Sequence, residues 1–334
     1  VIDVAIDARM TPRMSAGMRA YVRALLDGVP RVAPDIRFHE VGTGLNFGLR
    51  EQLGIPREIA RIKPDLTHYP TVFAPLRRRK PYVAMVHDLI HLQFPQYFSR
   101  KTALFYELIG TPMLRDAELL LMSDERTAAA CESLLRIPRA HCRIVPLGYD
   151  PALLATPQPA PAAHPYLLYA GNHRPHKNLD ALYAAWMQLP EPLAVDLVIT
   201  GPPEPAVLER YRRRNGVIRF AGDVSGAELA LGYRGAAAYV HPALAEGFGL
   251  PMLEATVLGT PVIASSTAVP SLVAPYVATF APHDSLALRA LLTDVIVNPA
   301  AHKRRAAEGS LALRAYTWDR FAAATAAVYR EAVG

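Results

Sequence analysis

Two glutamates eight positions apart, Glu246 and Glu254, bracket a glycine-containing run, His241-Pro-Ala-Leu-Ala-Glu246-Gly247-Phe248-Gly249-Leu250-Pro251-Met-Leu-Glu254-Ala. An apolar strand-like segment ends at His241. Gly247 and Gly249 on either side of Phe248 let the backbone turn sharply and expose its N–H groups. Pro251 suits the first position of a helix. Amides in a loop that opens a helix bind anions, and the helix dipole adds to the attraction. A diphosphate fits such a site. Glu254, expected in the first turn of that helix, would accept hydrogen bonds from a ribose diol, as acidic residues do in dinucleotide folds. Glu246 precedes the loop and would face a cleft. Either glutamate alone is better read as a cap or a surface ion pair; the two together with the glycines and Pro251 favour a site.

A second strand–glycine–helix junction follows the same plan: Ala170-Gly171-Asn172-His173-Arg174-Pro175-His176-Lys177-Asn178. Arg174 and Lys177 on its loop would neutralise a departing diphosphate. The first half offers Ser15-Ala16-Gly17-Met18-Arg19 as a turn after the first strand, also suited to close on phosphate. It offers His87-Asp88-Leu89 at the end of a strong apolar strand. His87 would hydrogen-bond a sugar hydroxyl or stabilise positive charge through its backbone carbonyl, although lone histidines are usually structural. Gly42-Thr-Gly44-Leu-Asn-Phe-Gly48 imitates a dinucleotide fingerprint, but its last glycine is one place late and no clear helix begins there. Asp116 and Glu118 read as a surface helix end rather than metal ligands, and His164, His173 and His176 have no zinc spacing to a cysteine.

These junctions need a scaffold. Strand-like and helix-like segments alternate along the chain, which indicates βαβ units and parallel sheets. The alternation stops at residues 151–165, where five prolines and many alanines read as a linker, and then restarts. The expected organisation is an N-terminal Rossmann-like domain over 1–150, the linker over 151–165, and a nucleotide-binding Rossmann-like domain over 166–315. A terminal amphipathic helix over 316–334 follows. Ligands in such folds sit at the carboxyl ends of strands, and two facing sheets make a cleft. The 334 residues suit two domains. Hydrophobic residues at 51% and charged residues at 20% exclude a disordered chain. No apolar run is long enough to span a membrane, and the start does not read as a signal peptide. Two cysteines are too few for a disulfide scaffold, so reduced thiols and a cytoplasmic location are expected. The net charge of +6 is concentrated in the first half, densest at Arg77-Arg78-Arg79-Lys80. That run is either a solvated loop or a peripheral contact with anionic lipid on the inner face of a membrane.

At these residues the chain resembles the retaining glycosyltransferases of family 4, which have the GT-B fold. Glu246 and Glu254 match the family's EX7E motif in the form EGFGLPMLEA. Gly259-Thr-Pro-Val-Ile-Ala-Ser matches the turn and strand after it. Gly171 to Asn178 matches the phosphate loop, Gly17-Met-Arg-Ala-Tyr21 the GIGRY turn, and His87-Asp88-Leu89 and Ser123 positions in the first domain. Trp318 lies in the helix that crosses back to the first domain in this family. The resemblance implies that Glu254 binds ribose, and that Glu246 faces the donor sugar. It implies that Gly247, Phe248, Gly249 and Leu250 offer amides, and that Arg174 and Lys177 hold the diphosphate. Gly17 closes from the other domain and His87 lies beside the anomeric centre. Arg19 and Ala20 depart from GIGRY, and Asn172 stands where the family often has arginine, a role Arg174 would take.

The expected activity is transfer of a hexose, mannose above all, from a nucleotide-diphosphate sugar to a glycan, lipid-linked or small-molecule acceptor. Retention of configuration is expected, with neither a cofactor nor a metal, because no DxD motif is evident. Nucleic acid is not an expected partner. The alternatives are transfer onto secondary metabolites, a glycosyl phosphorylase or nucleotide-sugar epimerase of the same architecture, and a non-catalytic binder.

Overall fold

The computed structural model describes residues 1–8, 16–42 and 49–334. Two compact units divide it. Residues 1–148 and 316–334 form the first, and residues 149–315 the second.

The first unit holds a six-stranded sheet of β1 (Ile2–Asp7), β2 (Ile36–Val41), β3 (Leu66–Tyr69), β4 (Tyr82–Met85), β5 (Leu119–Met122) and β6 (Cys142–Ile144). Their order is β2-β1-β3-β4-β5-β6, and every pairing is parallel. All four residues of β3, β4 and β5 are buried, as the middle strands of a parallel sheet with helices on both faces must be. Apolar runs such as Leu119-Leu-Leu-Met122 supply that burial. Cys131 and Cys142 are free thiols inside this core, where burial pushes the Cys131 thiol up to about 12.

The second unit repeats the plan with β7 (Tyr166–Tyr169), β8 (Asp196–Ile199), β9 (Ile218–Phe220), β10 (Ala238–His241), β11 (Val262–Ser265) and β12 (Ala278–Phe280). The order β12-β11-β10-β7-β8-β9 is parallel throughout. Succession runs outward from β7 in both directions, so a topological switch lies between β7 and β10. Trp186 sits fully buried in this core, with its indole N–H donating to Val195 O at 2.9 Å.

Residues 151–165, expected as a linker, belong to the second unit. They begin with a helical turn, Pro151–Ala155, onto which Arg234 donates at the Leu154 carbonyl (3.0 Å). The chain returns to the first unit for its last helix, Trp318–Val333. There is no room for a side chain at that return: a Cβ on Gly148 would lie 2.2 Å from the Thr317 carbonyl carbon. Buried Phe321 and Tyr329 seat the helix, and Arg330 and Arg143 pair with Asp35 and Glu331 at its rim.

Two further expectations change. Gly17 belongs to the first turn of a helix, Ala16–Arg23, rather than to a turn before it. That helix continues through a π-helical turn, Ala24–Gly28, into Val29–Val32. A helix, Leu49–Ile62, does begin after the fingerprint-like glycines, although Gly54 and Pro56 inside it obscure the pattern. Residues 43–48 of that run, and Ser15, lie outside the described residues. Among the described residues no helix is long and apolar enough to cross a membrane.

Candidate functional site

Both sequence junctions of the second unit fall at the switch point. The loop after β7 carries Gly171, Arg174 and Lys177, and the loop after β10 carries Glu246, Gly247, Phe248 and Gly249. Hydrogen bonds tie the two loops together. The Leu244 N–H donates to His176 O at 2.8 Å. Asn178 holds a left-handed backbone (φ 55°) between a helical turn, Pro175–Lys177, and the helix Leu179–Met187. Its amide donates to Pro242 O at 3.2 Å and to Pro282 O at 3.0 Å. Asn tolerates the left-handed region better than most residues, so one side chain both makes the turn and fastens three loops.

The helix of the second junction runs over Leu250–Val257. Gly249 caps it at φ 73°, a conformation that favours glycine, and a Cβ there would approach Met252 Cε to 2.4 Å. Pro251 is therefore the second helical residue rather than the first. Glu254 falls in the second turn, not the first. The Leu250 N–H heads a helix with no preceding turn to accept it. Phe248 is buried, which fixes the loop backbone beside it.

Charge is concentrated between the loops. Lys177 Nζ lies 2.5 Å from Glu246 Oε2, with the two side chains 9% and 19% exposed. Burial alone would raise the Glu246 carboxyl, but Lys177 and His241 outweigh it and hold that carboxyl well below the usual carboxylate range. Among the described residues no cation pairs with Glu254. Burial pushes its carboxyl up to about 7, against a small opposing effect of the Tyr233 hydroxyl at 3.5 Å. Gly171 N donates to Thr200 Oγ1 (3.1 Å), and the Arg174 side chain is exposed. His173 bridges Glu204 and the Thr200 carbonyl, which accounts for it structurally. Sequence reasoning assigned no role to Asn178, Tyr239 or His241. The signal was present: Tyr239 and His241 are two apart on a strand and share a face.

In the first unit, His87 follows β4. Its Nε2 donates to Pro70 O (3.0 Å), so Nδ1 is the acceptor in the neutral ring. Burial lowers its pKa, with Asp88 and the Pro70 carbonyl opposing. The Tyr21 ring packs edge-on against it at 5.1 Å. Asp88 accepts from the Ile90 N–H (3.1 Å). Ser123 is buried directly after β5. Gly17 and His87 thus belong to one unit, and Lys177, Arg174, Glu246 and Glu254 to the other.

Parallel six-stranded sheets in tandem units, with an ion pair and a helix start at a switch point, are the plan of the GT-B fold. Comparison with known proteins agrees. The model for Glycosyltransferase Family 4 matches residues 14–153, and the model for glycosyl transferases group 1 matches residues 164–298. The chain is 26% identical over 301 residues to O-antigen chain mannosyltransferase B of Escherichia coli, covering 80% of this chain and 74% of that protein. Other relatives match about half of this chain but only 39% and 41% of their own length. Among solved structures, sucrose-phosphate synthase from Thermosynechococcus elongatus superimposes with a TM-score of 0.79 at 20% identity, covering 99% of both chains. Anabaena HepE in complex with UDP-glucose gives 0.77 at 15% identity over 99% of this chain and 100% of that one. The chain belongs to glycosyltransferase family 4.

Proposed function

We propose that this glycosyltransferase moves a hexose, mannose above all, from a nucleotide-diphosphate sugar to a glycan or glycolipid acceptor of cell-envelope polysaccharide synthesis, with retention and without a divalent metal. The observation that carries the reading is the Lys177–Glu246 pair beside the Leu250–Val257 helix start. It sets a cation and amides where a diphosphate fits, and a carboxylate beside them where a sugar hydroxyl would be held. Likeness to the O-antigen mannosyltransferase supports the sugar and acceptor class, and the UDP-glucose complex of HepE supports the donor class.

The sugar–phosphate bond breaks with its electron pair leaving on the diphosphate, which Lys177, Arg174 and the helix amides receive. The acceptor hydroxyl attacks the oxocarbenium-like carbon and gives up its proton to the departing diphosphate oxygen. Glu254 holds the ribose and Glu246 a sugar hydroxyl. His87, neutral, offers Nδ1 or its backbone carbonyl to the sugar. A thermal-shift screen of GDP-, UDP- and ADP-sugars tests the reading, since donor at 100 times its Kd adds about 2.7 kcal/mol of stability. GDP-mannose should give the largest rise, and no response to any of the three would overturn the site. Product NMR should show the donor's anomeric configuration. Turnover in EDTA should equal that without it; a strict metal requirement would remove the metal-free step.

Peripheral contact with anionic lipid is the second part of the reading. Within the basic run Arg78 donates to Pro75 O and Lys80 pairs with Asp116, while Arg77 and Arg79 are exposed beside Leu76, itself 60% exposed. Sedimentation with anionic liposomes should weaken in Arg77→Glu/Arg79→Glu; equal sedimentation of the variant would exclude this contact.

A further inference from the structure

Glu246 has two nitrogen partners on one oxygen. Lys177 Nζ is 2.5 Å from Oε2, and His241 Nε2 is 3.2 Å from the same atom. The other oxygen accepts from the Gly247 N–H at 3.2 Å. The lysine contact is short, whereas the imidazole contact at 3.2 Å is long for a hydrogen bond to a carboxylate. Bonds of this kind often tighten only when substrate is bound.

A diphosphate would change the balance. Its oxygens compete with Glu246 for Lys177, and a carboxylate at this depth is costly to leave without a donor. His241 is the partner already within reach. The ring is fixed from behind: Tyr239 Oη lies 2.9 Å from Nδ1 and 3.1 Å from Ala170 O at the end of β7. Both Tyr239 and His241 are buried, so the imidazole has little room to turn away. Since Nε2 faces a carboxylate, it carries a proton, and the single hydroxyl proton of Tyr239 goes either to Ala170 O or to Nδ1.

We propose that His241, held by Tyr239, is a positioning residue that takes over Glu246 when the donor diphosphate claims Lys177, and so aims that carboxylate at the sugar being transferred. The inference rests on the reading of the site given above. It separates two kinds of recognition: diphosphate binding depends on Lys177, and sugar handling depends on the pair behind Glu246.

The test uses His241→Leu, His241→Gln and Tyr239→Phe. UDP and GDP, which lack the sugar, are titrated by calorimetry, and turnover is measured with UDP-glucose and GDP-mannose. His241→Leu should keep nucleoside-diphosphate affinity within about twofold while kcat falls about tenfold or more. His241→Gln, whose amide N–H reaches toward Glu246, should recover part of that loss. Tyr239→Phe, which keeps the ring shape and removes the hydroxyl, should fall between, and it carries the test if His241→Leu does not fold. Unchanged kcat, a matching loss of nucleoside-diphosphate affinity, or a glutamine no better than leucine would overturn the proposal. Wild-type protein that binds neither UDP nor GDP would instead remove the reading of the site itself.

Discussion

Each unit buries a histidine against tyrosine, but only the second adds charge. In the first unit His68 is fully buried, with Nε2 at 3.0 Å from the Tyr21 hydroxyl and Nδ1 at 2.5 Å from that of Tyr329. A neutral imidazole has one donor and one acceptor, and two hydroxyls satisfy both. Burial, aided by His87, pushes its pKa down to about 3. In the second unit His241 meets one tyrosine and one carboxylate, and the carboxylate meets a lysine. Similar side chains therefore serve two ends. With hydroxyls on both sides the imidazole joins a terminal helix to a strand; with a carboxylate it becomes part of an ionic group that a ligand can rearrange.

Lys177→Ala should break the second arrangement most severely. Loss of the cation should weaken nucleoside-diphosphate binding about 100-fold, near 3 kcal/mol, and slow transfer as well. Calorimetry and initial rates check this, and unchanged affinity in a folded variant would sever the ion pair from donor binding. His68→Leu should act on the other network alone. Two buried hydroxyls would lose their partner, at about 2 kcal/mol of stability by denaturant unfolding, with donor affinity unchanged. The pH dependence has a definite sign. A base whose folded pKa falls from 6.5 to about 3 stays neutral in the native state while the unfolded chain protonates. Its contribution is complete above pH 6.5 and is lost as pH falls toward 3. The His68→Leu variant should therefore lose less stability between pH 6.5 and 4 than wild type; identical slopes would show that His68 is not the titrating group.

The smallest effect is expected from Glu254→Gln. Here the carboxyl is raised, so the native state holds its proton more tightly than the unfolded chain, and wild-type stability declines from pH 4.5 through about 7. The variant should gain about 1 kcal/mol at pH 8 and nothing at pH 4.5, after allowance for the residual solvent access of this partly buried position. Donor affinity should fall if the ribose needs the charged acceptor. A variant that is no more stable at pH 8 would mean that Glu254 has a partner near neutrality.

Much of this arrangement was legible in the residues. Glycine beside Phe248, proline after Leu250 and apolar runs of four such as Leu119–Met122 force turns, helix starts and buried strands by local chemistry. Local chemistry is also why the cations and carboxylates of the second unit could be picked out along the chain. What stayed hidden depends on distance in sequence. Lys177 and Glu246 are 69 positions apart, and nothing near either residue says that one neutralises the other. Tyr329 reaches His68 across 261 positions. The start at Leu250 was misjudged by one residue because a left-handed Gly249 leaves its mark in backbone angles, and composition does not display them.

The return of Trp318–Val333 to the first unit sets an order of events during synthesis. The strands of the first sheet leave the ribosome before any of the second, yet the hydroxyl that completes His68 arrives only with Tyr329. Domains made early generally fold early. This one must wait, with an imidazole and the apolar seats of Phe321 and Tyr329 uncovered, until the whole second unit has been made. The unit begun first is the unit finished last.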